Sequence, residues 1–454
     1  MSVRREVAER EQTGPDDGQP GAKVRRRNPV ARFFGILGPG VVTGAADDDP
    51  SGIATYSQAG ATFGNGLLWT VPVTLPLMMA VQEICDRMAL ATGDSLGALI
   101  RRKFTRGFRI AITILVVALI AANILNLAAD LNAIGQGMTL LKAGPSFLWS
   151  AMAGAGVMAA VTFGSFEWIG RIFKWLCLVL LVYVGVLFVS GVDWADVARG
   201  LVGLQFQFSP AYLGLIVAVL GTTISPYMFF WQSAQRIEEL RAESRGGDKA
   251  PALEERPRGE ARRTLRNGRA DVFTGMAFSV LVMFAIIASS AATLGTQHKT
   301  VSSAADAAQA LEPVAGSYAG ILFALGFIGS GMLAVPVLAA SGAAGLTGLL
   351  NKNWGLARKP GKAPLFYVLL GAGMVLGTVL AVIDTNPIGL LVLSAVVNGI
   401  TAGPFLIIMM IISRDRKIMG KYRNGKLSTI LGWTTTVLMC LAGAYGIWYT
   451  ITGG

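Results

Sequence analysis

Long apolar stretches separated by short polar segments run through almost the whole chain. A bilayer core of about 30 Å requires roughly 20 apolar residues in a helix. Eleven stretches meet this requirement, near 33–60, 67–91, 108–134, 147–164, 172–191, 211–237, 271–294, 317–342, 364–384, 387–412 and 428–450. The pattern predicts an all-α polytopic membrane protein with eleven spans.

Positively charged residues follow every second span. Basic clusters lie at 101–106, 171–174, 236–269, 352–362 and 414–426, whereas the opposite loops contain few Lys or Arg. Because these residues concentrate in cytoplasmic loops, we expect a cytoplasmic N-terminus, an extracytoplasmic C-terminus and a location in the inner (cytoplasmic) membrane of a bacterium. The segment 238–270 mixes both signs of charge with Gly and Pro, which predicts a solvated cytoplasmic loop, with a regulatory contact as the alternative.

The composition agrees with a membrane protein and argues against other classes. Of the 454 residues, 53% are hydrophobic and 15% are charged, and the mean hydropathy is +0.55. The net charge of +12 comes from loops at helix ends, so no nucleic-acid partner is expected. The single histidine, His298, is interpreted as a solvated loop residue, which leaves no multi-histidine metal site. No nucleophile–base constellation or phosphate loop is present, so we do not expect an enzyme.

The chain divides into a short polar tail and a membrane transport domain. Residues 1–30 are charged and rich in Gly, Pro and Gln, which predicts a disordered cytoplasmic tail before a transport domain over 31–454. Cys85, Cys177 and Cys440 lie far apart in or beside apolar segments. They are interpreted as buried thiols, because their spacing fits neither a metal site nor a disulfide framework.

Three consecutive carboxylates interrupt the first span at 47–52 (DDDPSG). An aspartate at mid-bilayer costs roughly 2.5 to 3.5 kcal/mol, and such residues normally face a cavity or an ion. The proline removes a backbone donor and the glycine relaxes the chain, so the helix should break and expose carbonyl groups. This combination predicts a cation site.

A second interruption lies in span 6, at 221–227 (GTTISPY). Spans 1 and 6 each open a block of five spans, and an odd number forces the second block to enter the membrane from the opposite side. The predicted organisation is one repeat over about 33–191, an inverted repeat over about 211–412, and helix 11 at about 428–450. Broken helices at corresponding positions of two inverted repeats indicate a central transport site.

At this point the residues resemble the Nramp (SLC11) family of divalent-metal transporters. The matching motifs are Gly38–Gly40, Asp49–Gly52, Gly64–Trp69, Gln82–Gly93 and Gly221–Ala234. The resemblance implies a LeuT-like fold of the APC superfamily, with two inverted five-helix repeats plus an eleventh helix. It also implies a metal site between helices 1 and 6.

The chain departs from the family pattern at the metal site itself. The aspartate ligand is retained at Asp49, but Gly52 replaces the asparagine ligand and Ser225 replaces the methionine. Tyr227 and Gln232 stand where the family has histidines. Span 10 supplies Asn398 and Thr401 but has Ala395 at the position of the usual glutamine.

These changes favour a hard cation. Thioethers favour softer transition metals, whereas carboxylate, carbonyl, hydroxyl and water suit Mg²⁺ or Mn²⁺. The smaller side chains enlarge the site, which suits an ion that keeps several waters, and the chain resembles the Nramp-related magnesium transporters. We therefore expect a secondary transporter or facilitator for Mg²⁺ and/or Mn²⁺, acting as a monomer by alternating access without proton coupling, and without any cofactor beyond the transported cation.

The expected ligands lie on both sides of the two breaks. Asp49 is the first choice, with capping of the following half-helix as the alternative role. Asp48 is expected to contribute through water, and Asp47 to face the aqueous vestibule. Gly52 and Ser225 belong to the predicted site, where Ser225 either coordinates or bonds back to its own helix. Further ligands are expected from backbone carbonyl groups, those of Ala46, Thr222 and Thr223.

Other polar residues are expected to line the pathway or support the site. Tyr227 and Gln232 could line the inner exit or serve in packing. Asn126 and Asp130 give span 3 a polar face, and Asp130 lies near a family acidic residue that takes part in proton movement; helix packing is the alternative role. Asn398 and Thr401 are placed along the same pathway. Glu83, Asp86 and Arg87 could form an inner gate or a plain interfacial ion pair.

Two other functional classes remain open. An organic-solute carrier could use the same fold, although three aspartates would repel a substrate carboxylate. A non-transporting cation-binding sensor or scaffold is also compatible with the lost ligands. A measured flux of a divalent ion would distinguish the expected transporter from the organic-solute carrier and from the non-transporting protein.

Overall fold

The helices begin and end where proline, glycine and capping residues direct. In the computed structural model, the described residues are 39–164, 166–295, 319–383 and 387–452. They form α1 (Pro39–Asp47), α2 (Pro50–Phe63), α3 (Thr70–Thr92), α4 (Leu96–Lys103), α5 (Arg106–Leu140), α6 (Ser146–Phe163), α7 (Phe166–Val179), α8 (Leu181–Val189), α9 (Trp194–Leu201), α10 (Pro210–Thr223), α11 (Pro226–Ala242), α12 (Arg258–Thr293), α13 (Ala319–Leu349), α14 (Pro364–Ile383), α15 (Pro387–Ser413), α16 (Arg416–Met419) and α17 (Lys426–Thr452). Pro50, Pro210 and Pro226 occupy first helical turns, where a missing N–H costs nothing.

The predicted spans coincide with these helices wherever residues are described. Span 1 is the pair α1 and α2, span 6 is the pair α10 and α11, and span 5 is the pair α7 and α8. By length and composition, nine helices among the described residues could cross a membrane, or ten if the bent pair Pro50–Leu67 and Thr70–Thr92 counts as one span. The predicted tail at 1–30 and His298 lie outside the described residues.

The two repeats pack in equivalent ways. A contact between two spans recurs between the spans that hold the corresponding positions in the other repeat. Helix α12 of span 7 packs on both halves of span 1, and α3 of span 2 correspondingly packs on α11 of span 6. Helices α5 and α13 are spans 3 and 8, and they pack on each other. They hold equivalent positions in the two repeats, so their contact is its own counterpart. Helix α17 covers α15, α3 and α10. The all-α polytopic architecture predicted from the sequence is confirmed.

Glycines allow span 1 to approach span 7 closely. A Cβ atom added at Gly44 would lie 2.1 Å from the carbonyl oxygen of Gly275, and one at Gly60 would lie 2.4 Å from that of Ile287. Side chains at these positions would force the two helices apart. The close crossing therefore holds α1 and α2 against α12. The acidic residues 47–49 lie at the junction of α1 and α2.

The linker between spans 6 and 7 is shorter and more structured than predicted. Helix α11 continues to Ala242 and α12 begins at Arg258, so the non-helical part is 243–257 rather than 238–270. Arg256 donates hydrogen bonds to Glu243 at 2.5 Å and to Glu260 at 3.3 Å. The Tyr422 hydroxyl donates to the carbonyl oxygen of Leu253 at 3.3 Å. These contacts hold 250–256 against the bundle, whereas most of 243–249 is exposed to solvent as predicted.

Candidate functional site

The two broken helices open at the positions where proline follows a polar residue. Helix α1 ends at Asp47 and α2 begins at Pro50, so Asp48 and Asp49 have no place in either helix. Asp49 is extended, with φ −68° and ψ 169°. In span 6, Ser225 is also extended, with φ −80° and ψ 135°, directly before Pro226. Both breaks therefore have the same local cause, because a residue before proline is driven out of the helical region.

The two breaks face each other in antiparallel fashion. The Tyr227 hydroxyl, after the break in span 6, donates to the carbonyl oxygen of Ala46, before the break in span 1, at 3.1 Å. Conversely, the Ser51 hydroxyl lies 3.1 Å from the Thr222 hydroxyl. These crossed contacts are the arrangement expected of two half-helix pairs from inverted repeats. They place Asp49 at the centre.

Asp49 caps α2 and accepts hydrogen bonds from four groups. Its Oδ1 accepts from the Gly52 backbone N–H at 2.8 Å and from the Ser51 hydroxyl at 2.6 Å. Its Oδ2 accepts from the Asn126 amide at 2.9 Å and from the Tyr227 hydroxyl at 3.4 Å. The predicted capping role is thus seen in the geometry. A cation at Asp49 would have to displace or share these donors, and the long Tyr227 contact is the weakest of them.

Asp47 and Asp48 turn to the opposite side, toward span 7. Both side chains are fully buried. The Ser279 hydroxyl of α12 donates to Asp47 Oδ2 at 2.7 Å and lies 3.3 Å from Asp48 Oδ1. Asp47 was expected to face an aqueous vestibule; in the structure its side chain lies against Ser279 of α12. Ser279 was missed, because a single serine in an apolar span gives no distinctive signal.

Two hydroxyl groups of span 6, those of Ser225 and Thr223, donate to carbonyl oxygens of their own span. The Ser225 hydroxyl donates to the carbonyl oxygens of Gly221 at 2.7 Å and Thr222 at 2.8 Å, which is the back-bonded alternative. The Thr223 hydroxyl donates to the carbonyl oxygen of Val219 at 2.5 Å. A Cβ at Gly52 would lie 3.1 Å from the carbonyl oxygen of Asp47 and 3.4 Å from the Thr222 hydroxyl. A longer side chain at Gly52 would therefore enter the space between the breaks.

Span 3 supplies one bonded and one unpartnered polar group. The Asn126 carbonyl oxygen accepts from the Ser394 hydroxyl at 2.5 Å while its amide donates to Asp49. Asp130 is fully buried and neither of its carboxylate oxygens has a hydrogen-bond partner. Asn126 thus positions Asp49, whereas Asp130 is a buried carboxylate without a donor.

The two predicted residues of span 10 behave differently from each other. Asn398 is 1% exposed, and its carbonyl oxygen has no hydrogen-bond partner. The Thr401 hydroxyl donates back to the carbonyl oxygens of Val397 at 3.0 Å and Asn398 at 3.2 Å. The described contacts therefore do not join Thr401 to the two breaks.

A buried polar network closes the end of the bundle that carries the basic loops. Gln232 accepts from the Thr43 hydroxyl at 2.6 Å and donates to Asp86 Oδ1 at 3.1 Å. Arg236 donates to Asp86 at 2.5 Å and to Asp271 at 3.1 Å. We call these residues, Gln232, Asp86, Arg236 and Asp271, the basic-end network. It ties span 6 to spans 2 and 7, so Gln232 lies in a closed contact here.

The predicted gate residues divide between two arrangements. Glu83 and Arg87 form an ion pair one turn apart on α3, and Arg269 donates to Glu83 at 2.9 Å. Asp86 instead joins the basic-end network. Sequence reasoning missed Arg236, although its four-residue spacing from Gln232 places the two on one face of a helix.

A cavity lies on the other side of the breaks, away from the basic-end network. Its volume is about 210 Å³, which is room for several waters at about 30 Å³ each. It lies between α2, α10, α15 and α17 and is partly open, and its lining consists of Gln58, Thr62, Phe63, Ala211, Gly214, Leu215, Val217, Ala218, Val396 and Gly446. The site is therefore closed toward one end and has a cavity toward the other.

The atoms near the two breaks that could coordinate a metal ion are oxygen atoms. Within the described residues, no group of three or more His, Cys, Asp or Glu side chains converges as a metal-binding cluster. A metal ion at the breaks would therefore combine carboxylate oxygen with carbonyl, hydroxyl or water oxygen. Such a set suits hard divalent cations.

Comparison with known sequences gives one family. A sequence model described as "Nramp: Natural resistance-associated macrophage protein-like" matches residues 40–449. The chain is 26% identical to the divalent metal cation transporter MntH of Deinococcus radiodurans, over 96% of this chain and 95% of that protein. It is 28% identical to MntH 1 of Pseudomonas aeruginosa, over 91% of each chain.

Solved structures show the same fold. A crystal structure of a mutant of the Eremococcus coleocola manganese transporter superposes with a TM-score of 0.75 at 17% identity, covering 98% of this chain and 91% of that one. The nucleobase–cation symporter Mhp1, in a closed conformation, gives a TM-score of 0.55 at 16% identity, covering 90% and 92%. The predicted LeuT-like fold is confirmed.

Proposed function

Because the chain belongs to the Nramp family, we propose that it is a secondary transporter or facilitator that carries a hard divalent cation, Mg²⁺ and/or Mn²⁺, across the membrane by alternating access. The observation that carries the proposal is the position of Asp49, a buried carboxylate at the point where two broken helices meet. The printed function of the relatives, divalent metal cation transport, supports the same class.

The selectivity for a hard ion rests on the oxygen atoms around Asp49. The thioether that the resembling family has in span 6 is replaced by Ser225, and the asparagine in span 1 by Gly52. Without a sulfur ligand, softer metals lose their advantage. Without the two longer side chains, the ion can keep more of its water, as Mg²⁺ tends to do.

Uptake is proposed to follow the electrochemical gradient without proton coupling. Tyr227 and Gln232 replace two histidines, so neither position supplies an imidazole that titrates near neutral pH. An inside-negative potential supplies about 2.3 kcal/mol per charge per 100 mV, and about twice that for a divalent cation. This driving force favours net uptake of a divalent cation.

The closed and open ends suggest the direction of access. The basic loops support a cytoplasmic location for the closed end, and the cavity lined by Gln58 and Thr62 would then open a route from the outside. In this proposal a monomer in the bacterial inner membrane, with a cytoplasmic N-terminus and an extracytoplasmic C-terminus, loads through the cavity and releases after the basic-end network opens. No enzymatic activity is proposed.

Reconstituted liposomes test the proposal. Vesicles that enclose a Mg²⁺- or Mn²⁺-sensitive dye should show cation uptake under an inside-negative potential, and Asp49→Ala should abolish it. A pH dye should report no metal-driven acidification. Absence of flux for every divalent ion would reject transport, and acidification would reject the uncoupled mechanism.

A non-transporting cation-binding protein is the second candidate. The observation that favours it is that the Ser51 hydroxyl, the Gly52 N–H and the Asn126 amide all donate to Asp49, which holds this carboxylate in its capping position. Retained Mg²⁺ binding without flux in the same liposomes would identify this function.

A further inference from the structure

A stripe of polar side chains runs along α2 from the break to the cavity. It consists of Ser51, Thr55, Gln58 and Thr62, at intervals of four, three and four residues. At about 100° per residue, these positions lie within roughly 60° of one another on one side of the helix. At the inner end, the Ser51 hydroxyl donates to Asp49. At the outer end, Gln58 and Thr62 line the cavity, so the stripe connects the cavity with the carboxylate.

The stripe faces the first half of span 6. The Ser51 hydroxyl lies 3.1 Å from that of Thr222 in α10. Farther out, Gln58 shares the cavity lining with Ala218 of α10. Thr55 is fully buried and stands between Ser51 and Gln58 on the same side of α2. The stripe therefore lines the space between α2 and α10.

Two oxygen atoms of the stripe have no hydrogen-bond partner among the described residues. They are Thr55 Oγ1 and Gln58 Oε1, and both atoms are buried. A threonine within a helix often donates to a carbonyl oxygen one turn back, as Thr223 does to Val219. Buried polar atoms are normally satisfied by protein groups or ordered water. Gln58 Oε1 in the cavity wall, with Thr55 Oγ1 one turn farther in, is thus available to a ligand that donates hydrogen bonds.

The cavity has room for a divalent cation together with its water shell. Its volume is about 210 Å³, and six waters at about 30 Å³ each occupy about 180 Å³. Among the described residues that line it, none carries a charge. A cation without its waters would meet only neutral oxygens there, whereas the waters of a hydrated ion donate hydrogen bonds to such oxygens. Mg²⁺ gives up its waters reluctantly, so it fits this position in its hydrated form.

We propose that Gln58, with Thr55 one turn farther in, holds a hydrated divalent cation in the cavity before the ion reaches Asp49. The Gln58 carbonyl oxygen accepts hydrogen bonds from the waters of the ion, and the Thr55 hydroxyl accepts from them as the ion moves inward. This inference rests on the proposed transport function and adds a loading position outside the contact of Ser51 with Thr222. The position raises the rate of capture and leaves the equilibrium affinity at Asp49 unchanged.

Binding of cobalt(III) hexaammine to the full-length protein in detergent tests the position directly. The ammonia ligands of this complex do not exchange, so it donates hydrogen bonds as a hydrated ion does but cannot coordinate a carboxylate. Equilibrium dialysis should show about tenfold weaker binding in Gln58→Met than in the wild type, because hydrogen bonds from a charged donor are lost. Thr55→Val should weaken binding about threefold, which keeps the test decisive where Gln58→Met does not fold.

Gln136→Met is the matched control. It makes the same change on α5, where the Gln136 amide donates to Asn132 of its own helix at 3.2 Å. This variant should bind the complex as the wild type does. Equal affinities in Gln58→Met and Gln136→Met would overturn the loading position.

Mg²⁺ uptake into liposomes tests the role in capture. In Gln58→Met, the Mg²⁺ concentration for half-maximal uptake should rise about tenfold, while the maximal rate stays within about twofold of that of the wild type. External cobalt(III) hexaammine should inhibit the wild type and Gln136→Met more than Gln58→Met. A loss of maximal rate without a change in the half-maximal concentration would contradict a role in capture. Binding of the complex that depends on Gln58, without flux of any divalent ion, would reject transport and leave the hydrated-ion position standing.

Discussion

The Tyr227 hydroxyl donates a hydrogen bond to the carbonyl oxygen of Ala46, 3.1 Å away, and thereby joins the second half of span 6 to the first half of span 1. The same hydroxyl lies 3.4 Å from Asp49 Oδ2. Tyr227 therefore bonds the Ala46 carbonyl oxygen and approaches the Asp49 carboxylate, and the sequence assigns both groups to the cation. A cation that binds there competes with this hydroxyl.

Replacing Tyr227→Phe should destabilise the cation-free protein relative to the cation-bound one. The Ala46 carbonyl loses its donor, which costs about 1 to 3 kcal/mol for a buried acceptor. A bound cation satisfies that carbonyl instead, so Mg²⁺ should raise the thermal midpoint more in the variant than in the wild type. The measurement is the midpoint with and without Mg²⁺.

The matched control for this experiment is Tyr56→Phe. The Tyr56 hydroxyl lies 3.0 Å from that of Thr223, which keeps its own bond to Val219 after the change. The Mg²⁺-dependent rise should then equal that of the wild type. An equal rise in Tyr227→Phe would show that its hydroxyl does not compete with the ion.

Removing the Ser225 hydroxyl should barely affect transport. It donates to the carbonyl oxygens of Gly221 and Thr222 in its own helix, so Ser225→Ala should lose about 0.5 to 1.5 kcal/mol of stability and keep its Mg²⁺ flux within about twofold. Liposome flux measures the outcome. A loss of tenfold or more would mean that the hydroxyl turns to the ion during transport.

Restoring the family's two ligands together should change the ion preference. In Ser225→Met with Gly52→Asn, a thioether and an amide oxygen enter the space beside Thr222, since a Cβ at Gly52 already lies 3.4 Å from its hydroxyl. Mn²⁺ or Cd²⁺ flux relative to Mg²⁺ should rise about tenfold or more, because soft ligands favour these ions. Ser225→Ala serves as the control, and an unchanged ratio would remove both positions from selectivity.

The sequence predicted both helix breaks, because their cause is local. Asp49 before Pro50 and Ser225 before Pro226 are each driven out of the helix by the following proline. That the two breaks meet was also predicted. An odd number of spans in each repeat inverts the second repeat in the membrane, and broken helices at corresponding positions of inverted repeats indicate a central site. These features required only residues adjacent in sequence and a count of spans.

The partners of the acidic residues were not predictable in the same way. Asp47 meets Ser279, which lies 232 residues away in sequence, and which face of α1 receives α12 depends on the glycine crossing at Gly44 and Gly275. A serine in an apolar span gives no distinctive signal. Arg236 was likewise included in a basic loop, although α11 extends far enough to bury it between Asp86 and Asp271.

Breaking the basic-end network should open that end of the bundle. Arg236→Gln leaves Asp86 and Asp271 without their shared cation, a change that costs about 3 to 5 kcal/mol for a buried pair. Cys85, fully buried beside Asp86, should then react faster with a maleimide when Cys177 and Cys440 are replaced by serine. Arg245→Gln is the control, because its pair with Glu260 is exposed, and its rate should match the wild type. Equal rates in both variants would exclude the network as a gate.

Filling the cavity should block flux without removing the binding site. Ala218 lines the cavity of about 210 Å³ and is 1% exposed, so the ring of Ala218→Phe would take up space that hydrated ions need to reach Asp49. Mg²⁺ flux should fall about tenfold or more, while the affinity at equilibrium stays within about threefold, because no group at the breaks is altered. Ile216→Phe adds an aromatic ring on the same helix outside the cavity lining, and its flux should remain close to that of the wild type. Normal flux in Ala218→Phe would mean that the ion reaches Asp49 by another route, and an equal loss in both variants would mean that α10 tolerates no added bulk.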